Sequence, residues 1–186
     1  DRTTWAFLVA AALAAALALP LGLFAQDDAA APTTQPAPQT KEAAVDASRE
    51  QAIDEATSLL EKTDIALSTR LEAVESLIKQ HPGAGELWAV LGELRLEAQQ
   101  EDPAYKAFQR AVAKDETLYS AWHYIGIIEK RRENYDAALD AFRNSLDQGA
   151  PRAKALNEIA VTLTRIGRLQ QAADTWEEAL QEDPDW

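Results

Sequence analysis

Apolar residues fall at helical intervals along most of the chain, and the places where that spacing breaks divide it. Trp5 to Ala25 carries no charge. A run of that length either spans a membrane as a helix or forms the apolar core of a secretory signal. Gln26 to Thr40 has three Pro, no large apolar residue and no period, a composition too poor in apolar surface to offset the entropy of ordering. Periodicity then returns. Val45, Ala52, Ile53, Ala56, Leu59 and Leu60 share one helical stripe, and Ser48-x-x-Gln51 has the form of a capping box. The pattern predicts a first helix ending near Lys62. A second, opened by Thr69-x-x-Glu72, puts Leu71, Val74, Leu77 and Ile78 on its apolar face and stops at His81-Pro82.

Beyond Pro82 the pattern repeats itself. Trp88-Ala-Val-Leu91-Gly92 returns 34 residues later as Trp122-His-Tyr-Ile125-Gly126, and Ala104/Phe108 returns at the same step as Ala138/Phe142. A third copy reads Leu156, Ile159, Ala160, then Ala172, Trp176 and Pro184. Each unit holds two helical stretches separated by a turn signal: Asp102-Pro103, Glu133-Asn134-Tyr135 and Ile166-Gly167-Arg168. Small residues mark where the paired helices should approach: Gly92 against Ala104, Gly126 against Ala138, Ala160 against Ala172. Gly inside a helix costs about 1 kcal/mol relative to Ala, so its recurrence in register argues for close packing.

In this period, and in Trp-x-x-Leu-Gly, Ala-x-x-x-Phe and Pro at fixed places, the chain resembles the tetratricopeptide repeat family. The resemblance implies an all-α fold, a right-handed superhelix of antiparallel helical hairpins, with units at 85–118, 119–152 and 153–186. The register extends back over residues 51–84, where Asp54 replaces the Trp and Arg70 the small Ala, so 45–84 is expected to be a degenerate N-terminal hairpin. Arg95 and Glu129 stand where the family usually has an aromatic, which implies wetter hairpin ends. The last helix, near Leu169 to Gln181, is expected to leave apolar area uncovered, with the array continuing or capped beyond residue 186.

Composition narrows the function. With 18 basic and 31 acidic residues the formal net charge is −13, and a phosphate backbone needs clustered cations, so nucleic acid is disfavoured. The absence of Cys excludes disulfides, thiolate metal sites and Cys nucleophiles. His81 and His123 have no second ligand at metal spacing. No Gly-x-Ser-x-Gly, phosphate-cradling loop or calcium loop occurs. The expectation is a protein with no enzyme activity, metal or cofactor, in which Trp88 and Trp122 are core residues and not stacking platforms. Pro20 breaks the N-terminal apolar run and Leu23-Phe-Ala25 precedes Gln26, which favours a cleaved signal peptide over residues 1–25, with an uncleaved anchor as the alternative. Either way the remainder is expected to be exported, in the periplasm or its extracytoplasmic equivalent, behind a disordered Ala/Pro/Thr/Gln linker at 26–44 that separates it from the membrane.

What the resemblance implies about a site is the face of each first helix that the packing positions leave unused, the face that lines a concave groove for a peptide or helix of another protein. On this chain it comprises Glu86, Ala89, Glu93, Leu96 and Glu97, then Ser120, His123, Ile127, Lys130 and Arg131, then Lys154, Asn157, Val161, Thr164 and Arg165. One end is acidic, the other basic, and Ile127 and Val161 lie between. The chaperone-tail clamp found in part of the family needs Lys and Asn early in the groove; Ala89 and Glu93 stand there, so that activity is not implied. The expected function is a protein-protein interaction scaffold of the cell envelope. Two alternatives remain open: the front part of a longer enzyme or assembly factor, and a self-oligomerising array.

Overall fold

The computed structural model describes residues 41–183; the apolar segment 1–25, the stretch 26–40 and residues 184–186, Pro184 among them, lie outside the described residues. Eight α-helices and no strand occur among the described residues: α1 Lys41–Glu61, α2 Leu67–Gln80, α3 Gly85–Glu97, α4 Glu101–Lys114, α5 Tyr119–Arg131, α6 Tyr135–Asp147, α7 Arg152–Arg165 and α8 Leu169–Glu182. None of them is long and apolar enough to cross a membrane. The tightest pairs are α3 with α4, α5 with α6 and α7 with α8; α4 then packs on α5 and α6 on α7. This is the expected stack of tetratricopeptide-type hairpins.

The helix ends differ from the expectation in three places, each for a local reason. α1 begins at Lys41, inside the stretch assigned to a linker ending at 44, and runs through Ser48 and Gln51. Residues 41–47 contain strong helix formers and no Pro, so nothing stops the helix until the Pro-rich segment. α2 begins at Leu67 with Ala66 as its N-cap, and no side chain caps it; Thr69 therefore lies in the first turn. α4 begins at Glu101, placing Asp102 and Pro103 in the first turn, where a missing N–H is not felt.

The turn inside each hairpin is built the same way three times. Gln99 (φ 57°), Glu133 (φ 63°) and Gly167 (φ 77°) occupy equivalent positions in the left-handed region. The next amide reaches back to close the helix: Gln100 to the Arg95 carbonyl at 2.8 Å, Asn134 to Glu129 at 2.9 Å and Arg168 to Leu163 at 3.0 Å. These are the six-to-one bonds of a Schellman end. The third repeat meets its demand with Gly, whereas the first two hold a long side chain in a conformation that L-residues disfavour.

The close approach within each hairpin is to an aromatic ring, not to the partner Ala. A Cβ built on Gly92 would lie 2.6 Å from Phe108, and one on Gly126 2.6 Å from Phe142; both rings are fully buried. The third repeat has Ala160 and Trp176 at the same places. Its Cβ takes the space the rings use, no further described helix covers α8, and Trp176 is 38% exposed, its indole N–H donating to Asn157 Oδ1 at 3.0 Å.

The degenerate hairpin is looser, and α1 leans on α3 as well as on α2. Arg70, which stands where the later repeats have Ala104 and Ala138, is only 2% exposed. Its guanidinium donates to the Leu59 carbonyl at 3.3 Å and to the Glu97 carboxylate at 3.0 Å. At the other irregular place, Glu129 is buried and accepts from Asn134 Nδ2 at 2.7 Å. That hairpin end is therefore polar but closed, in place of the wetter end expected.

Candidate partner-binding groove

The first helices of the three regular hairpins, α3, α5 and α7, share one surface because each turns its Leu, Gly and Ala positions toward its second helix. A cavity of about 480 Å³ opens on that surface, lined by Glu93 from α3, by Ser120, His123, Tyr124 and Ile127 from α5, and by Lys154 and Glu158 from α7, with Ala150 and Pro151 at one end. A smaller one of about 300 Å³ lies beside it between Lys130, Arg131, Tyr135, Val161 and Arg165. Nine of the fifteen groove residues expected from the sequence thus line two neighbouring hollows.

The structure does not bring all of them to a free surface. Ala89 is 6% exposed and packs with Ala104, Phe108 and Ala121, so it is core and unavailable to a partner; small and apolar on a first helix, it fills the seam between neighbouring hairpins. Leu96 is partly buried against the same cluster. Ile127 is half-buried and leans on the cluster containing Phe142 and Ile159, so it is a cavity wall joined to the core. Asn157 accepts the Trp176 hydrogen bond. The Thr164 hydroxyl donates to the Ala160 carbonyl at 2.9 Å.

Most of the expected binding charges are already paired, and each pair ties one helix to another. Arg49 on α1 donates to both Glu86 oxygens, at 3.1 and 3.0 Å. Glu97 holds the buried Arg70 of α2. Lys130 on α5 pairs with Glu158 on α7, and Arg131 reaches Glu101 on α4 at 3.5 Å. Tyr124 Oη donates to Glu93 Oε2 at 3.4 Å. The acidic end expected at Glu86, Glu93 and Glu97 is thereby largely committed to intramolecular bonds. Lys154 and Arg165 make no ion pair among the described residues.

The cavity floor is aromatic. Tyr124 stacks on Phe108 with centroids 4.8 Å apart, and the His123 ring lies 5.8 Å from Phe142 and 5.9 Å from Tyr124. Burial pushes the Glu93 carboxyl above the ordinary carboxylate range, against the pull of the Tyr124 bond. Burial, and then the Lys154 charge, hold the His123 imidazole below its ordinary range, with Glu158 opposing and Lys130 adding to the depression. At neutral pH His123 is therefore an uncharged ring among rings. It makes no side-chain hydrogen bond among the described residues, with Ser120 lining the same cavity one turn earlier. No group of three or more metal-ligating side chains occurs among the described residues.

Sequence reasoning missed Tyr124 and Glu158. Tyr124 sits 34 residues after Val90, inside the repeated motif, and reads as one more apolar repeat position; only the hydroxyl, superfluous to packing, hinted at a polar partner. Glu158 looks like a solvated residue until the superhelical stacking brings α7 against α5.

The fold and groove define a tetratricopeptide-type helical array. No family profile matches the chain. The human PEX5-related protein is 30% identical over 76 residues, which is 41% of this chain and 12% of that protein; the chain thus matches a small fraction of that relative's length. Among solved structures, MamA superposes with a TM-score of 0.65 at 16% identity, over 73% of this chain and 78% of that one. The pilF structure from Pseudomonas aeruginosa gives 0.66 at 15% identity over 76% and 64%. A chain of the APC/C hetero-tetramer Cut9-Hcn1 gives 0.64 at 17% identity over 74% and 28%. At these identities the likeness is one of fold.

Proposed function

We propose that the protein is a non-catalytic scaffold that holds a segment of another protein in the groove along α3, α5 and α7, and that it does so in the cell envelope, exported by its N-terminal apolar segment. The observation that carries the binding reading is the cavity of about 480 Å³ between Glu93, His123, Ile127 and Lys154. Its wall combines the aromatic and apolar surfaces of His123, Tyr124 and Ile127 with the polar Glu93, Ser120 and Glu158, and Lys154 at its edge is a cation without an ion-pair partner among the described residues. Such a hollow takes an apolar side chain next to a carboxylate. An exposed ion pair contributes only about 0.2–1 kcal/mol, so burial in the cavity supplies most of the affinity while Lys154 and Arg165 orient the ligand and speed its approach. A fold neighbour built into a hetero-tetramer, Cut9-Hcn1, is in keeping with this reading. The export reading rests on the uncharged run Trp5 to Ala25 followed by a Pro-rich stretch.

The test is photo-crosslinking in cells with a benzophenone amino acid placed at Ser120 in the groove or at Asp140 on α6, outside it. The expected result is one partner trapped from Ser120, lost in Lys154→Glu and restored in Lys154→Arg. The same partner trapped from Asp140 and indifferent to Lys154→Glu would make the second helices the binding face. Intact mass of the exported chain separates the two fates of the apolar segment: a start near Gln26 supports cleavage, and retention of Trp5 establishes an anchor.

A further inference from the structure

A second hollow lies on the opposite side of the array, between α2 and α4, where the floor of α3 shows through. Its volume is about 420 Å³. Ile78, Trp88 and Leu91 line it, and Lys79, Lys106 and Arg110 stand around it. Lys79 and Lys106 are exposed and have no ion pair among the described residues. Among the described residues Arg110 is engaged only with the Trp88 ring, at 4.7 Å from its centroid. Arg95 at the edge is paired with Glu75, so four cations face one carboxylate in a chain whose formal charge is −13. An apolar cleft with a positive rim on an acidic protein is fitted for an apolar, acidic helix face.

The chain itself carries that face. Of the five large hydrophobic residues that stand exposed among the described residues, three are on α8: Leu169 at 65%, Trp176 at 38% and Leu180 at 51%. They fall at i, i+7 and i+11 along one helical stripe. α8 contains Asp174, Glu177, Glu178 and Glu182 and no basic residue. Arg152 on α7 takes up Glu178 and Glu182, which leaves Glu177, next to Trp176, without an ion pair among the described residues. We propose that the α2–α4 cleft of one copy receives the α8 face of a second copy, with Trp176 and Leu180 over Trp88 and Ile78 and Glu177 between Lys79 and Lys106. The contact is heterologous, using two different surfaces of the same chain, so both remain available at the ends of a growing assembly. It leaves the α3–α5–α7 groove open and goes beyond the capture of a foreign segment there.

The experiment is sedimentation velocity on the full chain over concentrations up to about 0.1 mM, the range in which a small interface of this kind populates dimers. Wild type should associate, the local attraction between the positive cleft rim and α8 working against the long-range repulsion of two acidic chains. The paired reversal Lys79→Glu with Lys106→Glu, and the single reversal Glu177→Lys, should each weaken association by about tenfold or more. All three side chains are surface charges outside the core, and circular dichroism checks that the helices persist. The decisive arm is mixing. The cleft variant keeps an acidic α8 and the α8 variant keeps a basic cleft, so the two, each monomeric alone, should associate together. A wild-type chain that stays monomeric overturns the proposal and makes some other molecule the occupant of α8; association untouched by the reversals, or no recovery on mixing, overturns the assigned surfaces.

Discussion

Gly126→Ala tests the link between the repeat motif, the core and the groove in one substitution. Helix propensity alone makes Ala better than Gly by about 1 kcal/mol in a helix interior, and Gly126 lies within α5 with ordinary helical backbone. Against this, the new Cβ would stand 2.6 Å from Cε1 and 2.7 Å from Cδ1 of Phe142, far inside van der Waals contact. Phe142 is fully buried and touches His123 on its groove side, so it has no empty space to move into. Overpacking of this kind typically costs about 1–3 kcal/mol. The net expectation is a loss of up to about 2 kcal/mol, read as a lower urea midpoint with an unchanged slope. The two effects differ in sign, so the experiment discriminates between them. Phe142→Leu deletes the ring edge, and in the double variant the penalty of Gly126→Ala should shrink, giving a total smaller than the sum of the two single losses. Gly83→Ala serves as the control, because a Cβ there meets nothing within 4 Å. If Gly126→Ala is more stable than wild type, or its effect is the same with Phe142→Leu as without, the close approach of ring to helix is wrong, and with it the explanation for Gly in the motif.

Further outcomes follow from the same geometry. Glu133→Gly and Gln99→Gly, which relieve a left-handed backbone at φ 63° and 57°, should each raise stability by about 0.5–1 kcal/mol in thermal or urea unfolding, and a loss at either would argue against the Schellman geometry of those turns. Glu97→Ala should cost about 3 kcal/mol because it strands a guanidinium that is 3% exposed, whereas Arg70→Met should cost less, since Glu97, 46% exposed, stays in water when left alone; equal losses measured by urea unfolding would contradict the burial of Arg70. Because the folded chain holds the His123 pKa below the ordinary value of about 6.5, the unfolded state binds more protons just below that pH, so stability should fall as pH drops from about 7 to 5 and level off once the folded imidazole also protonates. Glu93, raised, works in the opposite sense, stabilising at low pH and losing that contribution as pH rises through its folded value. His123→Gln should flatten the decline seen in urea midpoints across that range, and an unchanged profile would show that the ring is solvated.

The fold was legible because its determinants are short-range or strictly periodic. A step of 34 residues in Trp88/Trp122, Gly92/Gly126 and Phe108/Phe142 repeats whole hairpins, and no long-range pairing has to be guessed. Helix ends were less legible. Ser48-x-x-Gln51 satisfies a capping pattern but lies in a stretch with no helix breaker, and propensity carried the helix back to Lys41. Arg70 read as a departure from the small-residue rule; its burial depends on the Leu59 carbonyl and the Glu97 carboxylate, 11 and 27 residues away, and nothing local announces either.

The groove was half legible, and the reason bears on the ligand proposed for it. Position on the helical wheel shows which side chains leave the hairpin packing, but not whether a charge that leaves it meets water or the next helix. Stacked first helices present their polar faces to one another, so Arg49 meets Glu86, Lys130 meets Glu158, and Tyr124 meets Glu93 across successive units. A gradient of formal charge along the sequence thus becomes a ladder of internal ties, and a ligand that displaced one would have to replace its hydrogen bonds. Lys154 and Arg165 escape because no carboxylate of the described residues comes within ion-pair reach of them. The unpaired charge on this face is therefore positive at the α7 side, while toward α3 Glu86 and Glu97 are neutralised by arginines and Glu93 is bonded only to a hydroxyl among the described residues. If the groove binds as proposed, the long-range field repels an acidic partner while Lys154 and Arg165 attract its carboxylate, so weak screening by low salt should slow association and leave the bound contact intact. A groove carrying the acidic end expected from residue types alone would instead speed the approach of a basic segment.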